Sequence, residues 1–67
     1  MSVAKIVEIT AESERSFDDA IREGLSRASQ TIKNIEGAWI KEQKVRLSNG
    51  KIVGYHVDMK ITFVLDE

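Results

Sequence analysis

VGYHVDMKITFVL, residues 53–65, places Tyr55, Val57, Met59, Ile61, Phe63 and Leu65 on one side of the chain and His56, Asp58, Lys60 and Thr62 on the other. A period of two sustained over this length is the signature of a β-strand with one buried face. It is the longest and most regular such run in the chain, so it is assigned as the central strand of a sheet. A strand with one apolar face needs neighbours to pair with it and a layer to cover it. The rest of the sequence is read for those parts.

Immediately upstream, Ser48-Asn49-Gly50-Lys51 supplies the strongest short-range hairpin signal, because a two-residue type I′ turn needs positive φ at both central positions and Asn-Gly tolerates it. The partner strand is then Ala38 to Leu47, with Ala38 and Ile40 directed at the core and Trp39, Lys41, Gln43 and Val45 directed away. Counting back from the turn sets Gln43 opposite His56, Lys41 opposite Asp58, Ile40 opposite Met59 and Trp39 opposite Lys60. Core positions face core positions throughout, as a correct register requires. Lys41 and Asp58 read as a cross-strand ion pair worth a few tenths of a kcal/mol.

Further upstream, Phe17, Ala20, Ile21, Gly24, Leu25, Ala28 and Ile32 recur at spacings of three and four, which predicts an amphipathic helix running to about Asn34. Ser16 is its N-cap, with Asp19 three residues later in the manner of a capping box, and Asn34 or Gly37 closes it. Gly24 lies on the apolar stripe, where close approach of helix to sheet compensates for its poor helix propensity. Residues 3–10, VAKIVEIT, form a first strand with Lys5, Val7 and Ile9 on one face and Ala4, Ile6, Glu8 and Thr10 on the other. Residues 11–16 are a polar connection, and Ile6 is assigned to a contact between subunits. The order is β-α-β-β. Because a crossover helix carries the chain past one strand width, the last strand returns between the other two. The fold class is α+β: a three-stranded antiparallel sheet in order 1-3-2 with one helix on one face, residues 1–67 forming one domain.

A domain of 67 residues buries little of its own surface, and it has no cysteine to form a disulfide. Self-association is therefore expected. Ten Lys and Arg against eleven Asp and Glu leave a formal charge of −1, which argues against a nucleic-acid partner. No run approaches the ~18 apolar residues of a membrane span, and the first residues lack the apolar core of a signal peptide. A soluble, cytoplasmic protein is expected.

No catalytic constellation is visible. The serines have cap, helix-surface or turn roles, Gly50 belongs to a turn, and a lone His56 without cysteines or a second histidine makes no metal site. An enzyme is not expected. Trp39, on the uncovered face, either stacks on a planar ligand or fills a subunit interface. His56 on the same face either hydrogen-bonds a heterocycle or is an ordinary interface residue.

The stretches KIVEITAESERSFDDAI (residues 5–21), RASQTIKNI (residues 27–35) and YHVDMKITFVL (residues 55–65) together resemble the dodecin family in order, spacing and total length. The resemblance implies the same β-α-β-β unit, assembled as a hollow homododecamer of cubic 23 symmetry. It also implies a non-enzymatic role in storing flavin (riboflavin or FMN) or a related planar ligand at sites between subunits. Carried over residue by residue, the family's stacking tryptophan falls on Gly37, with Trp39 two residues later on the same strand face and displaced by roughly 6.6 Å. The family's third-strand glutamine falls on His56. Glu42 lies where an acidic residue stands near the ribityl chain, and Lys44 lies near a basic position associated with flavin phosphate, although Lys44 faces the core side unless a bulge re-aims it. The ligand-binding residues implied are Trp39, Glu42, Lys44 and His56. The alternative is a dodecin-like oligomer that is structural or takes a different ligand, because Gly37 and His56 replace the usual pair.

Overall fold

The computed structural model describes residues 2–65. Four elements follow in order: β1 (Ala4–Ser13), α1 (Phe17–Ser29), β2 (Ile35–Ser48) and β3 (Lys51–Val64). They form a three-stranded sheet in the order β1-β3-β2, with β3 antiparallel to both neighbours. Val57, Met59 and Ile61 of β3 are completely buried, together with Ala20 of α1, and Ala28 of α1 is buried beside them. The period-two pattern of residues 53–65 thus marks the central strand. Leu65 lies just beyond its end, largely exposed.

The helix lies close on this floor because Gly24 has no side chain. A Cβ there would stand 2.6 Å from Met59 Cε and 3.0 Å from Ala11 Cβ. Ser16 caps the N-terminus, its hydroxyl accepting from the Asp19 backbone N–H at 3.0 Å. The Asp19 carboxylate does not complete a capping box; it accepts from the Ser13 hydroxyl at 2.7 Å, and Ser13 Oγ itself accepts from Arg15 N–H at 2.9 Å. These bonds tie the end of β1 to the start of α1. They also explain why β1 runs on to Ser13, where residues 11–16 read as a polar connection: Ala11 and Ser13 point inward beneath the helix.

The helix ends at Ser29 rather than near Asn34. The carbonyl of Ala28 accepts from the backbone N–H groups of Thr31 and Ile32, at 3.2 and 2.9 Å, and the Ser29 hydroxyl donates to the Ser26 carbonyl at 2.9 Å. With these last-turn carbonyls satisfied, the chain turns away, and Asn34 at φ 63 redirects it into β2. Asn34 is pinned there by its side-chain amide, which donates to the Val64 carbonyl at 3.2 Å. Ile32 therefore belongs to the turn and not to the helical stripe.

The turn between β2 and β3 has Asn49 at φ 51 and Gly50 at φ 78, as a type I′ turn requires. Its register begins as expected, with Ser48 opposite Lys51, but two bulges intervene before Trp39 is reached, and a third shift follows between Gly37 and Ile35. One extra residue, Val53, lies on β3; one extra residue, Lys41, lies on β2. Between them the pairing is offset by one: Lys44 faces His56, Gln43 faces Val57 and Glu42 faces Asp58. Past Lys41 the offset is cancelled, and Ile40 faces Met59 and Trp39 faces Lys60.

Several expectations are corrected accordingly. Gln43 and Val45 share the helix side with Val57 and Tyr55, not the open face. Lys41 does not pair with Asp58; it reaches across β3 to Glu8 at 3.4 Å. Ala38 points to the helix side but stays exposed, because α1 lies over β1 and β3 and leaves β2 uncovered. Among the described residues no helix is long and apolar enough to cross a membrane.

Candidate functional site

The face of the sheet opposite the helix gathers the side chains with polar chemistry. Alternation brings Ile6, Glu8, Thr10 and Glu12 of β1 and Thr62, Lys60, Asp58 and His56 of β3 to this face. From β2 come Gly37 and Trp39 and then, because the Lys41 bulge inverts the alternation, Glu42, Lys44 and Arg46. Strict alternation would have sent Glu42 and Lys44 to the other side. All four residues singled out from the sequence, Trp39, Glu42, Lys44 and His56, thus share one surface.

They do not converge on one point within a subunit. Lys44 is directly across from His56, and Glu42 is directly across from Asp58. Trp39 is across from Lys60, four residues from His56 along β3, or roughly 13 Å at the usual rise per residue. Trp39 is 63% exposed. The Lys60 ammonium lies 5.2 Å from its ring centroid, a cation–π contact worth about 0.5–1 kcal/mol in this exposed setting. At Gly37 the surface is open, with no atom within 4 Å of where a Cβ would stand.

At the other end of the face the charges are cross-linked. His56 sits between two carboxylates, its Nε2 3.0 Å from Asp58 Oδ1 and its Nδ1 3.5 Å from Glu12 Oε1. Glu12 also accepts from Arg46, whose Nε is 3.0 Å from both carboxylate oxygens and whose Nη2 adds a further bond to Oε2. Arg46 passes over β3 at Gly54, where a Cβ would lie 3.2 Å from Glu12 Oε2 and 3.4 Å from Arg46 Nε. A glycine at that point lets the guanidinium and carboxylate meet across the strand. The hydrogen-bonded Arg46 guanidinium holds the Glu12 carboxyl below the usual carboxylate range, and His56 adds to the effect. Both partners are well exposed, so the pair orients side chains more than it stabilises the fold.

This Arg46–Glu12–His56–Asp58 chain of contacts is the part that sequence reading missed. Arg46 and Glu12 carry no motif, and their meeting depends on the Val53 bulge, which aligns Arg46 with Gly54. The surface provides an exposed aromatic ring, an open floor beside it, and paired charges that present both donors and acceptors. That is equipment for holding a planar polar ligand. Among the described residues no group of three or more His, Cys, Asp or Glu side chains is placed to hold a metal ion.

A family model for dodecins matches residues 3–66. Among solved structures, a dodecin from Streptomyces davaonensis is 36% identical, with 98% of this chain and 97% of that chain covered and a TM-score of 0.93. A mutant of the Thermus thermophilus dodecin is 28% identical, with complete coverage of both chains and a TM-score of 0.94. A calcium-chelating antigen of Mycobacterium tuberculosis, described as a calcium dodecin with a novel calcium-binding site, is 29% identical over 97% of this chain and 93% of that chain, at a TM-score of 0.83. A search of curated proteins found no match.

Proposed function

The chain belongs to the dodecin family, and from that premise we propose that it is a non-enzymatic storage protein that sequesters flavin, riboflavin or FMN, between the subunits of a hollow homododecamer. Family membership supports the coarser statement directly: this is a small dodecin-fold binding protein, and related dodecins imply an oligomeric assembly. Residues 1–67 are proposed to act as one domain and Trp39, Glu42, Lys44 and His56 to contact the ligand.

The observation that carries the proposal is Trp39, a large aromatic ring left mostly exposed on the same face as Glu42, Lys44 and His56. An exposed tryptophan on a polar sheet face is a stacking surface in need of a partner. Its separation from His56 favours a ligand held between subunits, because one small ring cannot reach both residues of one sheet, whereas a neighbouring subunit can bring the second residue closer. Stacking would also keep a photoreactive, redox-active molecule quiet.

The second reading is an oligomer of the same kind with a different ligand or none. Gly37 favours it, since the expected platform position is bare. The two are separated by the colour of the protein purified from cells. A yellow sample that releases flavin on denaturation supports storage. A colourless sample that remains oligomeric and takes up no added riboflavin supports the second reading.

A further inference from the structure

Trp39 stands directly across from Lys60, and the Lys60 ammonium lies over the indole, 5.2 Å from the ring centroid. A lysine at this register also has a carboxylate to turn to, because β1 sets Glu8 directly opposite Lys60 on the same face. A different cation holds that carboxylate. Lys41, the bulged residue of β2, reaches across β3 to Glu8 Oε2 at 3.4 Å. Among the described residues Lys60 forms no ion pair, and its charge is directed at the ring.

This contact makes the two faces of the indole unequal. One is occupied by the ammonium. The other is open, since Trp39 is largely exposed and β2 is an edge strand. A planar ring that stacks on Trp39 takes the open face, with the indole between itself and the cation. With the ammonium 5.2 Å from the indole centroid and a contact distance of about 3.5 Å on the far side, the stacked ring lies no more than about 9 Å from a full positive charge. That is about one Debye length at physiological ionic strength, so the field is only partly screened. A neutral ring feels little of it. A cationic ring is repelled by an amount that corresponds to about two- to fivefold in affinity.

We propose that Lys60 is a specificity-determining residue of the Trp39 platform: it occupies one face of the indole, confines stacking to the other, and selects neutral and anionic rings over cationic ones. The inference rests on the stacking role proposed above for Trp39 and extends it to the charge of the ring.

Riboflavin, neutral at pH 7, and proflavine, a planar tricyclic cation, are each titrated at low salt into wild type, Lys60→Met and Lys60→Arg. Methionine keeps the unbranched stem and removes the charge, whereas arginine keeps a cation over the ring. Lys51→Met removes the same charge at the far end of β3 and is the control for net charge. Lys60→Met should improve proflavine binding relative to riboflavin by about two- to fivefold, and Lys60→Arg and Lys51→Met should not; raising the salt should shrink the difference. A ratio that Lys60→Met leaves unchanged, or that Lys51→Met moves equally, would overturn the role of Lys60 and leave the stacking platform standing. Failure of both rings to bind would overturn both. A second measurement needs no ligand, because the chain has one tryptophan and its emission reports this site alone. The ammonium gathers anions at the ring, so the ratio of iodide to caesium quenching should be higher in wild type than in Lys60→Met. An unchanged ratio would count against the contact itself.

Discussion

Replacing Gly24 with alanine isolates the close approach on which the core depends. In an unconstrained helix the change stabilises by about 1 kcal/mol, because alanine has the better intrinsic propensity. Here the new methyl would be built 2.6 Å from Met59 Cε and 3.0 Å from Ala11 Cβ, with Ile9 Cδ1 at 3.6 Å. Met59 Cε is the end of a flexible side chain, but Met59 is fully buried, so displacing it disturbs the packing around it. Ala11 Cβ is fixed to the β1 backbone and yields only if the helix lifts. Overpacking of this kind costs about 1–3 kcal/mol. The two effects oppose each other and overpacking wins, leaving Gly24→Ala destabilised by about 1 kcal/mol, or roughly 4–8 °C in Tm for a domain of this size. Thermal or urea unfolding at matched protein concentration measures it, since assembly makes the midpoint concentration-dependent. Ser26→Ala, on the exposed side of the same helix, is the control and should be neutral or slightly stabilising. If Gly24→Ala matched that control, the helix would not lie as close to the sheet as described.

Trp39→Ala should weaken riboflavin binding by about 1–1.5 kcal/mol, or roughly five- to tenfold, while the size-exclusion profile stays unchanged; loss of assembly instead would assign the ring to a subunit contact. If Trp39 is the stacking platform, Gly37→Trp should fold normally, since nothing lies within 4 Å of the new Cβ, and should add little to the affinity in the same titration. Gly50→Ala places a Cβ at φ 78 and should cost about 1–2 kcal/mol in urea unfolding. For pH, the Glu12 carboxyl is lowered in the folded state from an ordinary value of 4.5, chiefly by Arg46. Its contribution to stability is therefore full above that ordinary value and is lost as pH falls through the lowered one. The stability difference between wild type and Arg46→Gln should shrink on acidification across that window, and a difference that grew would refute the pairing.

The topology was legible because its signals are local and redundant. The alternation of residues 53–65, the Asn49-Gly50 turn and the Ser16 cap each specify one structure through backbone sterics or a single hydrogen bond, and the structure contains all three. Element ends were less legible. The helical spacing of apolar residues continues through Ile32, but the helix ends at Ser29 and the chain tightens into a turn that Asn34 at φ 63 directs into β2, and spacing carries no record of that turn. The bulges at Val53 and Lys41 were illegible for a deeper reason: an extra residue is selected by the strand opposite, and neither valine nor lysine announces one. Because the two bulges cancel, the register counted from the turn was right at the turn and right again at Trp39, and wrong only between. That interval contains Glu42 and Lys44, so the error fell on the candidate site. Family resemblance pointed to those two residues although strand parity argued against Lys44, and the Lys41 bulge removes the conflict.

The most direct test is a fluorescence titration of riboflavin with the wild-type protein at micromolar concentration. Flavin emission should be quenched progressively and level off at a fixed ratio of flavin to subunit, as Trp39 stacks on the ring between subunits. Flavin emission that stays unchanged through a several-fold excess of assembled protein would contradict the storage function, whatever the variants do.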